Sequence, residues 1–249
     1  MKRNLSVFLK GFFSVLLILS SVFGWGQTSV QNFGTATGSN TTQTGSTTLI
    51  LNPTSGTTYA RGGATAPAAP VALLTTPNPL STAGAFAKAT ASASTSVTKI
   101  SPIVGYTAST EFYTSFKILF GDTSGSNTAT SGSWTFSQGS GAVYSDNNAY
   151  TTAQVFSGLR FTFGASGVIN LTTDPGTGTF VTTGLTQTAF SQGVVYKVEI
   201  FGNNQSTGTI NYLYNGVPQT VAVQKFDLFI NGLKVGDDIA KSSLAGNTN

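Results

Sequence analysis

Apolar and polar residues alternate along several stretches of the chain, and that two-residue period marks strands with one buried side. In residues 110–120, Phe112, Thr114, Phe116, Ile118 and Phe120 fall on one side, and Glu111, Tyr113, Ser115, Lys117 and Leu119 on the other. Leu159, Phe161 and Phe163 alternate with Arg160 and Thr162, and Tyr196, Val198 and Ile200 with Lys197 and Glu199. Ile210, Tyr212 and Tyr214 repeat the pattern. Breaks rich in Gly, Asn and Asp separate these stretches at 121–125, 146–148, 174–178 and 202–204. Asn215-Gly216 and Asn231-Gly232 are sharper signals. An Asn-Gly pair supplies positive φ at both centres of a type I′ turn, whose twist matches two antiparallel strands. Residues 212–214 and the stretch from Val217 should therefore form one tight hairpin, and 226–230 with 233–235 another. No stretch after residue 26 sustains a helical i, i+3, i+4, i+7 stripe, apart from a short turn of helix expected near 238–244. Short strands with frequent turns and almost no helix predict an all-β, two-sheet antiparallel sandwich of the jelly-roll kind.

Residues 31–110 are less regular. Six of the eight prolines (Pro53, Pro67, Pro70, Pro77, Pro79 and Pro102) lie there. Proline fixes φ and removes a ladder donor, so long strands are not expected between 61 and 80. Short pieces are expected at 48–51, 85–90 and 97–100. Leu49, Leu51, Tyr59, Val71, Leu73, Leu74, Leu80 and Phe86 are too much apolar side chain for a solvated linker. The segment is thus read as edge strands and loops of one domain spanning 27–249.

The N-terminus carries a different pattern. Lys2, Arg3 and Lys10 precede an apolar run from Phe12 to Phe23, and Gly24-Trp25-Gly26 places small residues before Gln27. That is the layout of a secretory signal peptide, cleaved near Gly26. The run is shorter than the ~20 residues a spanning helix needs, so no membrane span is expected in the mature chain. No Cys stands near the cleavage point, which excludes a lipid-modified lipoprotein. The expected location is secreted or at the cell surface.

Export changes the reading of charge. The chain has 249 residues and a formal charge of +4, but setting aside residues 1–26 leaves nine basic against eight acidic residues. A nucleic-acid surface, which needs clustered Lys and Arg, loses its support. The absence of both His and Cys rules out Ser-His-Asp and Cys-His nucleophiles, imidazole or thiolate zinc sites, and disulfides. Charged residues are only 8% of the chain, while Ser, Thr and Gly number 28, 40 and 29, so hydroxyls and amides must carry solubility.

The run from Phe226 through Asn231-Gly232 to Val235, preceded by residues 194–200, resembles the late strands of laminin-G-like, concanavalin A-like jelly rolls in secreted proteins of the Bacteroidetes. Val30-Gln-Asn-Phe33 is similar to the opening strand of such domains, so the resemblance covers roughly residues 30–240. It implies carbohydrate binding or adhesion. It also implies a further closing strand, and a C-terminal sorting domain in type IX substrates. The chain ends at Asn249 with neither, which reads as a fragment of a longer surface protein or as a natural end with a frayed tail.

Glycoside hydrolysis needs two carboxylates flanking the sugar. The close alternate spacing of acids used by related glycanases is missing, and Glu199 beside Lys197 reads as a solvated ion pair, so an enzyme is not expected. Loops 122–127 and 146–148 offer oxygen ligands for a structural calcium, with Asp122 and Asn127 the named ligands, although Asp and Asn also cap turns. Sugar recognition uses aromatic faces ringed by hydrogen-bonding groups. Trp134, Tyr113, Tyr144, Tyr150 and Arg160 are the candidates, with core burial an equal alternative for Trp134, which shares a face with Phe136. Asn40, Asn170 and Asn204 match the glycosylation acceptor pattern and mark exposed loops. The expected function is a non-catalytic module contacting polysaccharide or a cell-surface component. The alternatives are a purely structural spacer and a hydrolase-like jelly roll without a catalytic pair.

Overall fold

A computed structural model describes residues 33–40, 57–61, 71–74, 78–80, 84–89, 99–103, 109–122, 129–144 and 151–246. The expected signal peptide, Asn127, residues 146–148, Tyr150 and the strand expected at 48–51 lie outside these. No helix among the described residues is long and apolar enough to cross a membrane.

Five short strands lie in the irregular third: β1 (Gly38–Asn40), β2 (Thr57–Arg61), β3 (Val71–Leu74), β4 (Phe86–Ala89) and β5 (Lys99–Ile103). They form two small antiparallel sheets, β1-β3-β4 and β2-β5. The strands expected at 85–90 and 97–100 are β4 and β5. Lys117 donates to the Leu80 carbonyl at 3.2 Å, tying this region to the larger sheets.

The rest is the predicted sandwich. Its strands are β6 (Glu111–Leu119), β7 (Ser133–Gly139), β8 (Val155–Phe163), β9 (Val168–Thr173), β10 (Ala189–Ser191), β11 (Val195–Asn203), β14 (Lys225–Ile230) and β15 (Leu233–Ala240). Between β11 and β14 the chain makes an extra hairpin, β12 (Ile210–Tyr214) and β13 (Val217–Val221). One four-stranded sheet, called sheet I below, has the order β15-β14-β11-β6, and the other, sheet II, has the order β10-β9-β8-β7. All pairings within them are antiparallel. The chain crosses between sheets after β6 and again after β10, so β7 to β10 run as one meander.

Alternation decides which side chains meet. Phe112, Phe116, Val198, Ile200, Phe226, Leu228 and Ile230 of sheet I face Phe136, Leu159, Phe161, Ile169 and Leu171 of sheet II in one apolar cluster. Ring pairs bridge the sheets: Phe116 stacks on Phe136 at 4.5 Å, and Phe112 meets Phe156 edge-on at 5.0 Å. Fully burying a side chain of this size contributes about 1.5–3 kcal/mol, so the cluster dominates the stability of the sandwich. Gly202 is required beneath Phe112, its partner in the β6–β11 register, because a Cβ there would fall inside the ring.

Both Asn-Gly hairpins are present, with φ of 49° and 80° at Asn215 and Gly216 and 49° and 84° at Asn231 and Gly232. The helical turn expected near 238–244 is not: β15 continues to Ala240 and the described tail 241–246 is irregular. Asp238 instead sits at φ 48° in a bulge of β15, and the tail bonds along the start of β8 through Ser242 N–H to Phe156 O and Leu244 N–H to Val155 O. Burial of Leu244 holds it there, a contact that no local periodicity encodes.

Candidate functional site

The outer face of sheet I holds the densest cluster of titratable groups among the described residues. In register, Glu199 of β11 lies opposite Phe229 of β14, and Phe201 opposite Asp227, so acids and rings form a checkerboard. The β12–β13 hairpin folds over it. Tyr212 stacks on Phe201 at 4.1 Å and donates its hydroxyl to Asp227 Oδ2 at 2.6 Å. Tyr214 stacks on Phe229 at 3.9 Å and donates to Glu199 Oε2 at 2.8 Å. Each tyrosine thus covers one cross-strand ring–acid pair.

Lysines complete the cluster. Glu199 Oε1 accepts from Lys197 Nζ and Tyr113 OH, each at 2.7 Å. Lys234 Nζ lies 2.7 Å from Asp227 Oδ2 and also meets Asp237 and Gln219. The Asp238 N–H in the bulge donates to Asp227 Oδ1 at 2.9 Å, so the buried carboxylate caps the bulge opposite it.

The solvated ion pair expected at Glu199 is corrected here. Glu199 is 4% exposed and Asp227 0%, because the hairpin shields both. Their titration is pushed in opposite directions. Burial raises Glu199, but the bonds from Lys197, Tyr113 and Tyr214 outweigh it and hold the carboxyl below its ordinary value. Burial also raises Asp227, and there Lys234, Tyr212 and the Asp238 N–H offset it only in part, so the carboxyl stays above its ordinary value. Burial, with Glu199 alongside, pushes the Tyr214 hydroxyl up to about 12. All four carboxylate oxygens are engaged by donors, an arrangement suited to clamping the hairpin rather than to presenting an acid to a substrate.

The described sequence candidates are not brought into one site. Trp134 of β7 faces inward and packs, partly buried, against the core. Tyr144 ends a short 3-10 turn with its hydroxyl donating to the Gln154 carbonyl at 3.4 Å, and burial raises its pKa. Tyr113 is 52% exposed on the edge strand of sheet I, its ring 4.7 Å from Phe201. Arg160 lies on the opposite outer face, in sheet II, with its guanidinium 3.7 Å from the centroid of Phe180. Asp122 follows β6, and no group of three or more acidic, His or Cys residues able to hold a metal occurs among the described residues.

Sequence reasoning missed Asp227, Tyr212, Tyr214, Lys234 and Phe180. One signal was available. Phe201 and Phe229 place rings on the polar side of their strands, and a ring there needs a cover. No protein-family model, curated protein or solved structure matches the chain.

Proposed function

We propose that the chain is a non-catalytic binding module that contacts polysaccharide at a surface outside the cell. The observation that carries this reading is Tyr113. Its ring is half exposed on the edge strand of sheet I, yet it packs beside Phe201 and is oriented through its hydroxyl on Glu199. A fixed aromatic face costs little ordering entropy when a flat apolar sugar face lies on it. Lys197, whose side chain is 49% exposed and whose Nζ shares Glu199 Oε1 with the Tyr113 hydroxyl, supplies a donor beside the ring. The signal-peptide pattern and the hydroxyl-rich composition suit an exported protein with this role, and the resemblance to laminin-G-like sandwiches points the same way.

Hydrolysis is less well supported. Two carboxylates serve a glycosidase only if a sugar can lie between them, and Glu199 and Asp227 lie beneath the hairpin with their oxygens occupied. Affinity electrophoresis in gels of neutral polysaccharides tests the binding reading. Retardation in at least one gel, lost on Tyr113→Ala and kept on Tyr144→Phe, is the expected result. Equal mobility of wild type and Tyr113→Ala in every gel, or release of reducing ends that disappears with Glu199→Gln, overturns it.

A further inference from the structure

We infer that the outer face of sheet II holds a separate site for a carboxylate carried on a polysaccharide, with Arg160 as its anchor. Arg160 sits on β8 in register with Thr135 of β7 and Thr172 of β9, so one row across the sheet reads Thr-Arg-Thr. The adjacent row is Ser133, Thr162 and Asn170. This face is therefore a field of hydroxyls and amides with a single fixed cation in it. Two strand gaps make each row about 10 Å across, broad enough for an extended chain rather than a lone ion.

The guanidinium lacks what such a group ordinarily has. It carries five N–H donors, and among the described residues none meets a carboxylate or a carbonyl. Its Nε is buried without a partner. Leaving the buried Nε donor unmet is costly, and one ring does not replace its partner. Phe180 offers a platform beneath the plane, which fixes the guanidinium by cation–π contact but satisfies none of its N–H groups. The buried Asp174, which follows β9, accepts from the N–H groups of Gly176 and Gly178 and from Ser242 Oγ. A stacked, planar donor fork with no internal acceptor is complementary to a carboxylate, which it can meet through two parallel bonds.

The surroundings select the carrier. Strands β7, β9 and β10 contain no Lys or Arg, and β8 contains Arg160 alone. A densely sulfated chain gains its affinity from many cations, and this face offers one. A chain with one carboxylate per sugar and hydroxyls elsewhere matches a single guanidinium ringed by Thr, Ser and Asn. The chemical class is a uronic-acid polysaccharide. The inference rests on the binding-module reading but uses neither Tyr113 nor sheet I.

The test is affinity electrophoresis and calorimetry of the full chain with polygalacturonate, its methyl ester, dextran sulfate and neutral dextran. Binding to polygalacturonate that weakens with salt and with esterification is expected. Arg160→Gln should weaken it about tenfold to a hundredfold, Arg160→Lys less, and Phe180→Leu several-fold, with thermal midpoints close to wild type. Tyr113→Ala should leave it unchanged. Equal binding of the ester, stronger binding of dextran sulfate than of polygalacturonate, or an Arg160→Gln variant of wild-type affinity overturns the assignment. Tyr113-dependent binding to neutral polysaccharides without any to polygalacturonate would sink this site and leave the module standing; no binding to any polymer would sink both.

Discussion

Truncating Asp227 to Ala tests whether the cluster on sheet I clamps the hairpin. The carboxylate is fully buried and accepts three donors: Tyr212 OH at 2.6 Å, the Asp238 N–H at 2.9 Å, and Lys234 Nζ at 2.7 Å. Lys234 loses least, because its side chain is 24% exposed and it keeps Asp237 and Gln219. The tyrosine hydroxyl and the bulge N–H lose charge-assisted bonds worth about 1.5–3 kcal/mol each. Asp227→Ala should thus cost about 3–5 kcal/mol, in the range found when one partner of a buried ionic network is removed. Tyr212→Phe keeps the ring on Phe201 and isolates the hydroxyl, for about 1.5–3 kcal/mol. Urea unfolding of wild type, both single variants and the double variant closes a thermodynamic cycle. The coupling should be about 1–3 kcal/mol with m unchanged. A cost for Asp227→Ala below about 1 kcal/mol, or strict additivity, would refute the clamp.

The two acids should also split by pH. Glu199 titrates below its ordinary value of 4.5, so its contribution is complete above that pH and fades as pH falls through the lowered folded value. Asp227 titrates above its ordinary 3.8, so the pH-linked part of its contribution is complete below that pH and is lost as pH rises through the raised folded value, while the bonds to the carboxylate remain. Thermal midpoints of Glu199→Gln should therefore approach wild type in acid, whereas Asp227→Asn should gain on wild type as pH rises; parallel curves for both variants contradict the assignment. Ser157 Oγ is buried with no partner among the described residues, and Ser157→Ala should stabilise by about 1 kcal/mol in urea unfolding. At Gly216, φ is 80° and a Cβ would meet nothing within 4 Å, so Gly216→Ala should cost only the backbone term of about 1–2 kcal/mol. A cost for Gly216→Ala well beyond that would show contacts at the turn that the open space there excludes.

What the sequence made legible was whatever local geometry dictates. Alternation assigned the inner faces of β6, β8 and β11, and the Asn-Gly pairs located both hairpins, because each depends on a few adjacent residues. The destination of the β12–β13 hairpin was not legible. Tyr212 and Tyr214 alternate as any core-facing strand would, and only the rings of Phe201 and Phe229, distant in sequence, draw them to the outside. For the same reason Glu199 read as solvated: its cover arrives from a strand that its own neighbours do not announce. Among the candidate ligand groups, Trp134 could be read either way, and pairing with Phe161 on the inner face sends it to the core.

The pairing of β6 with β11 has a kinetic consequence. Tyr113 and Glu199 are 86 residues apart along the chain, and the whole of sheet II is threaded between the two strands they occupy. Loop closure of that span must precede the contacts that reward it, which places the chain among slow folders of high contact order. Until β11 arrives, β6, which carries Phe112, Phe116 and Ile118, has no strand partner in sheet I, so the nascent protein presents an apolar strand with an unpaired edge. Substitutions that slow the meander of β7 to β10 should therefore lower yield through aggregation before they measurably change the stability of the finished molecule.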